Sequence, residues 1–200
     1  MTIGHAPAEF LAGYADGSLS DGMCLVVAAH LTFCPACRAR LARLEALGGA
    51  LLAEPEPRCC AAPDLASVLD LLDATQPPRT PAAPAAGGCA SLTDLPRCLR
   101  ERLDSALDES GWLPGPPGLE FVPIAISGTG QLSLLRGQPG LRVAEHGHAG
   151  IEATLVLKGI MRDGGRDFGR GDLVIAGPEP HAPEVIGERP CLALLFRDPA

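Results

Sequence analysis

The sequence predicts a multidomain α + β chain: a small helical unit that holds a metal ion, followed by an all-β barrel or sandwich with its own metal site. Three observations predict it. The first third is patterned at helical spacing and contains H-x3-C-x2-C. A Pro- and Ala-rich stretch then interrupts the chain. From residue 111 onward, short apolar runs alternate with Gly and Pro turns and carry H-x-H-x3-E.

Composition narrows the setting. A chain of 200 residues suits one large domain or two small ones. Aromatic residues are only 4% of the total, so aliphatic side chains must build the cores. The formal net charge of −8 weighs against direct nucleic-acid binding, which needs a basic face. Residues 1–73 hold four basic and nine acidic residues, a balance of −5, and residues 74–200 hold the remaining −3. An acidic helical unit suits a basic protein partner. The start, MTIGHAPAEF, has no basic and apolar leader, and no stretch approaches the ~20 apolar residues of a membrane span. A cytoplasmic location is the expectation. In that reducing compartment, eight Cys point to metal or redox chemistry rather than to disulfides.

The helical elements follow from pattern and caps. Residues 4–17 place Phe10, Leu11 and Tyr14 at helical spacing, and Ser18 or Ser20 can cap a helix over 21–33. Pro35 suits the first turn of a third helix, 36–47, which Gly48-Gly49 should weaken or end. A fourth, 64–73, aligns Leu65, Val68, Leu69 and Leu72. The helical domain is expected over 1–76 and a Pro/Ala-rich linker over 77–92, since no packed element uses that Pro density. The second domain is expected over 93–200, opening with a short helix at 94–108. Its strands are expected at 121–127, 130–136, 141–148, 151–157, 172–176 and 191–196.

In the helical unit, His30, Cys34 and Cys37 supply three ligands. His30 and Cys34 are four apart, on one helix face, and Cys34-Pro35-Ala36-Cys37 turns two thiolates together. Zn²⁺ takes four N/S ligands. Spacing alone leaves the fourth open between His5 and Cys24, although Cys24 faces away from His30 on the helix. A CxxC can also be a redox pair, but no βαβ context supports that here. Residues 1–73 resemble the zinc-binding anti-sigma domain, a helical unit with an N-terminal His followed by H-x3-C-x2-C. The resemblance implies that His5, His30, Cys34 and Cys37 hold Zn²⁺.

The second motif is more specific. Gly140-LRVAE-His146-Gly-His148-AGI-Glu152-ATLVLK-Gly159 fits G-x5-H-x-H-x3-E-x6-G at every fixed position. On a strand, positions 146, 148 and 152 share one face, where two imidazoles and a carboxylate can hold a divalent ion. This pattern resembles the cupins, jelly-roll β-barrels that add a third His from a second motif. That motif is imperfect here. Gly171-DLVIAG-Pro178-EP-His181 is one residue short, lacks a Gly, and has Val185 where Asn is common. The resemblance implies a divalent metal, expected to be Zn²⁺, held by His146, His148, Glu152 and His181.

Together the two motifs resemble the ChrR-type anti-sigma factors. That resemblance implies that the chain sequesters a group IV (ECF, sigma-E-like) sigma factor. It would release this factor under oxidative stress such as singlet oxygen or organic hydroperoxide. The chain is then not an enzyme, although a cupin dioxygenase or isomerase is the alternative. Neither nucleic acid nor membrane is an expected partner, and a homodimer through the cupin is allowed. Apolar helix positions Leu25, Val26, Leu65, Val68 and Leu69 are expected to serve the sigma factor in part. Cys191 stands alone after the last ligand, and Cys59, Cys60, Cys89 and Cys98 read as incidental.

Overall fold

The computed structural model describes residues 4–54, 64–74, 95–103 and 111–198. The expected linker lies outside the described residues, and so do Cys59, Cys60 and Cys89.

Helix α1 spans Ala8–Asp16 and stops at Gly17, whose φ of 75° is the left-handed cap that glycine adopts without strain. Helix α2 spans Asp21–Phe33, capped by Ser20, whose Oγ accepts the Met23 N–H at 3.4 Å. Helix α3 spans Pro35–Ala53, with Pro35 in its first turn. The two helices meet at a bend of 119°. Gly48-Gly49 does not end α3 as expected. A Cβ at either glycine would meet nothing, so the pair sits on an open face. Two interior glycines cost about 1 kcal/mol each, and the good helix formers Ala50, Leu51, Leu52 and Ala53 carry the helix past them. Helix α4 spans Leu65–Ala74, and Asp64 accepts the Ser67 N–H at 2.8 Å. Helix α5, Arg97–Arg100, is a single turn rather than the longer helix expected. It begins after Pro96 and presses Leu99 into the core. Among the described residues, no single helix is long and apolar enough to cross a membrane.

Among the described residues nine strands follow: β1 Leu113–Pro114, β2 Leu119–Ile124, β3 Gln131–Gly137, β4 Glu152–Lys158, β5 Ile160–Asp163, β6 Arg166–Phe168, β7 Leu173–Ala176, β8 Glu184–Ile186 and β9 Cys191–Arg197. One sheet has the order β1-β2-β3-β9-β4-β7 and the other β6-β5-β8. Every described pairing is antiparallel. A cavity of about 110 Å³ between the sheets is lined by Leu135 and Leu195 from one and by Met161 and Val185 from the other.

The expected strand at 141–148 is absent. Only the isolated bridges Arg142↔Glu184 and His146↔His181 remain of it. The segment opposite carries Pro178, Pro180 and Pro183, which have no N–H to give a ladder. The sequence also concealed β5, β6 and β8, which are only three or four residues long.

Strand β4 is buried on both faces. Leu155 joins a large core with Val26, Val27, Ala29, Leu99, Leu194 and Phe196, while Val156 joins a smaller core with Met161, Phe168, Val185 and Cys191. The large core is shared, because α2 supplies one side of it and the sheet the other. A Cβ on Gly22 of α2 would land on the Phe196 ring of β9. Leu25 and Val26 were expected to serve the partner in part, but they are buried within the chain at 8% and 0% exposure. Leu65 and Leu69 are open to solvent at 73% and 49%.

Candidate metal centres

The first cluster forms where α2 gives way to α3. His30, on the last turn of α2, and Cys34 and Cys37, at the start of α3, are buried. His5 reaches them from the segment before α1. Its Nδ1 lies 3.2 Å from Cys34 Sγ and 3.6 Å from Cys37 Sγ. One ligand atom from each of the four residues lies within 4.8 Å of every other. Cys24, the competitor for the fourth place, points its Sγ to the Leu19 carbonyl at 3.7 Å instead.

The local chemistry fits a cation with soft ligands. His30 Nδ1 donates to the Gly171 carbonyl at 2.9 Å, which leaves Nε2 as the free lone pair. That Nε2 is buried without a hydrogen-bond partner. An orphaned imidazole nitrogen facing two thiols is an incomplete arrangement that a metal ion completes. Burial pushes the His30 pKa down, so the ring is held in the neutral form that binds metal. Burial pushes the Cys37 thiol up, with the Cys34 sulfur adding to the shift, so a cation is needed to hold Cys37 as a thiolate.

The second cluster lies at the mouth of the barrel. Glu152 opens β4, while His146 and His148 stand in the loop before it and His181 in the loop before β8. His146, His148 and Glu152 were expected to share a face by strand parity, but both imidazoles stand in a loop instead. A backbone bridge brings His146 to His181: His146 N–H donates to the His181 carbonyl at 3.0 Å, and His181 N–H donates to the His146 carbonyl at 2.9 Å. Nε2 of His148 and Nε2 of His181 are 2.9 Å apart, and Glu152 Oε2 is 3.4 Å from the former. Here too, ligand atoms of all four residues lie within 4.8 Å of one another. Desolvation lowers the His148 pKa, again favouring the neutral ligand form.

Three residues that sequence reasoning missed orient this cluster. Asp163, at the end of β5, accepts from His181 Nδ1–H at 2.8 Å and so turns Nε2 inward. The Ala144 carbonyl does the same for His146 at 2.8 Å. Arg197, ending β9, donates to Glu152 Oε2 at 2.7 Å. An acid before a Gly-Gly turn and an Arg near the end of the chain carry no motif by which they could be found.

Two family models match the chain. A zinc-finger family covers residues 8–38 and the ChrR Cupin-like domain covers residues 101–200. The Anti-sigma-E factor ChrR of Cereibacter sphaeroides is 36% identical over 200 residues, which spans 99% of this chain and 91% of that protein. This chain belongs to the ChrR family of anti-sigma factors. The crystal structure of Rhodobacter sphaeroides SigE in complex with the anti-sigma ChrR matches it with a TM-score of 0.79 and 35% identity. That match covers 98% of this chain and all (100%) of the other. The ChrR family thus accounts for both the helical zinc-finger region and the cupin-like sheets that follow it.

Proposed function

We propose that this chain binds an ECF sigma factor of the sigma-E class, keeps it from RNA polymerase, and releases it under oxidative stress. The observation that carries the reading is likeness over the whole chain to a ChrR seen in complex with SigE. The metal clusters add a mechanism. His5, His30, Cys34 and Cys37 are proposed as the ligands of a structural Zn²⁺, which would supply folding free energy by tying the α2–α3 corner to the segment before α1. His146, His148, Glu152 and His181 are proposed as ligands of a divalent ion in the barrel, with Zn²⁺ as the first candidate. Catalysis is not part of this reading.

The surface for the sigma factor is proposed on α3 and α4. Leu47, Leu51 and Leu52 of α3 and Leu65, Leu71 and Leu72 of α4 are all at least half exposed, between 58% and 82%. Apolar side chains in such number on two helices fit a partner that covers them. Oxidation of Cys34 or Cys37 would remove a thiolate ligand and loosen the corner from which α3 departs. A cytoplasmic site of action agrees with this partner, since sigma factors act on RNA polymerase there.

The test is capture of the sigma factor by the full chain, wild type beside Cys34→Ser, from cells of the native bacterium. Wild type should retain a sigma factor and Cys34→Ser should lose it together with about one equivalent of zinc. Failure of the wild type to retain any sigma factor would overturn the reading.

A further inference from the structure

We infer that the turn entering β7 of the barrel, Gly171–Asp172–Leu173, is the outer shell of the metal site in the helical unit. Asp172 and the Gly171 carbonyl position two of its four ligands. The inference rests on the reading that His5, His30, Cys34 and Cys37 bind a metal.

The contacts come from both directions. The Gly171 carbonyl accepts from His30 Nδ1–H at 2.9 Å and fixes the tautomer that presents Nε2. One residue on, Asp172 Oδ1 accepts the Gly4 N–H at 2.8 Å, and the Leu173 N–H donates to the Gly4 carbonyl at 3.0 Å. Gly4 is thereby clamped on both sides, and the next residue is His5. A side chain at Gly4 would run into the Leu173 carbonyl, so only glycine lets the two backbones approach this closely. Among the described residues, the exposed His5 ring is held within its own unit by its contacts with the two sulfurs. The clamp supplies what the helices do not.

The turn is buried and hydrogen-bonded on both sides. Asp172 is 4% exposed, and its second oxygen accepts the Gly169 N–H at 2.7 Å. Its carbonyl accepts the Val156 N–H at 3.0 Å, while Gly171 N–H donates to the Val156 carbonyl at 2.8 Å. Val156 lies on β4, the strand that opens with Glu152 of the barrel cluster. The two metal clusters are therefore joined by one strand and one turn. A displacement of this turn would act on His30 and on the residue before His5 together. Outer partners of this kind are worth about 10–100-fold in metal affinity.

Co²⁺ distinguishes the two sites, because only the helical site has thiolates and gives a sulfur-to-metal charge-transfer band. The experiment titrates Co²⁺ into the full metal-free chain and measures that band and its decay against a chelator. Wild type, Asp172→Ala, Asp172→Asn and Gly4→Ala are compared. Asp172→Ala and Gly4→Ala are each expected to weaken Co²⁺ at the thiolate site about 10-fold or more. Asp172→Asn keeps an oxygen for Gly4 but gives up the acceptor for the Gly169 N–H, so it should recover part of the loss. Wild-type affinity and decay in Gly4→Ala would overturn the inference, whatever happens to the fold of Asp172→Ala. Absence of the band in wild type would instead overturn the metal reading beneath it.

Discussion

Asp163 decides which nitrogen of His181 faces the barrel cluster. Its Oδ2 holds Nδ1–H, and its Oδ1 is buried without a partner. Such a carboxylate is costly in a metal-free fold and is offset once the imidazole it orients gains a cation. Asp163→Asn should lower the barrel's metal affinity about 10–100-fold and leave the zinc of the helical unit in place, read by metal analysis of the purified chain. Cys191 makes the opposite case. Burial pushes its thiol up to about 11, and it lines the cavity among apolar neighbours. The folded thiol thus stays protonated while the unfolded one ionises near about 8.5. Its contribution to stability is full below that value and is lost as pH rises toward 11. Iodoacetamide at about pH 8 should leave Cys191 unmodified in the native chain, as mass spectrometry of the labelled peptides would report. The residues that gather in the two clusters were legible because motifs fix their spacing. The residues that aim them were not, since an aspartate one strand away in space carries no trace of its partner in the sequence.

Helices α3 and α4 carry the element-scale prediction. Both expose leucines, Leu47, Leu51 and Leu52 on α3 and Leu65, Leu69, Leu71 and Leu72 on α4. Leu65→Asp with Leu69→Asp should abolish capture of the sigma factor without changing the melting temperature, because neither side chain belongs to the shared core. Retained capture would move the interface off α4. At this scale the reading of the sequence succeeded where one rule acted alone. Helix α2 begins and ends where its Ser cap and the Cys-Pro step predicted. It failed where rules competed, as in α3, whose glycines argued for an end that the following alanines and leucines overrode. The loop at 141–148 failed for a different reason, since the prolines that deny it a ladder lie about forty residues further on.

The whole molecule is less divisible than its sequence. A Pro-rich stretch between two motif-bearing parts reads as a tether between independent domains. In the structure, α2 packs its buried face on β4 and β9, and a single apolar core runs through both parts. Calorimetry of the zinc-loaded chain should therefore show one cooperative transition encompassing α1–α3 and the barrel, and two separated transitions would refute the shared core. Gly22→Leu should lower that transition by several degrees, since any side chain there meets the Phe196 ring.

That meeting of glycine and ring also limits how such a chain can be recombined. A helical unit of this kind cannot be joined to any other barrel simply by exchanging coding segments at the proline-rich stretch. The newcomer must bring an aromatic residue of the same reach at the position of Phe196, or the recipient must refill the notch at Gly22. Within this lineage, the two positions are expected to change in concert.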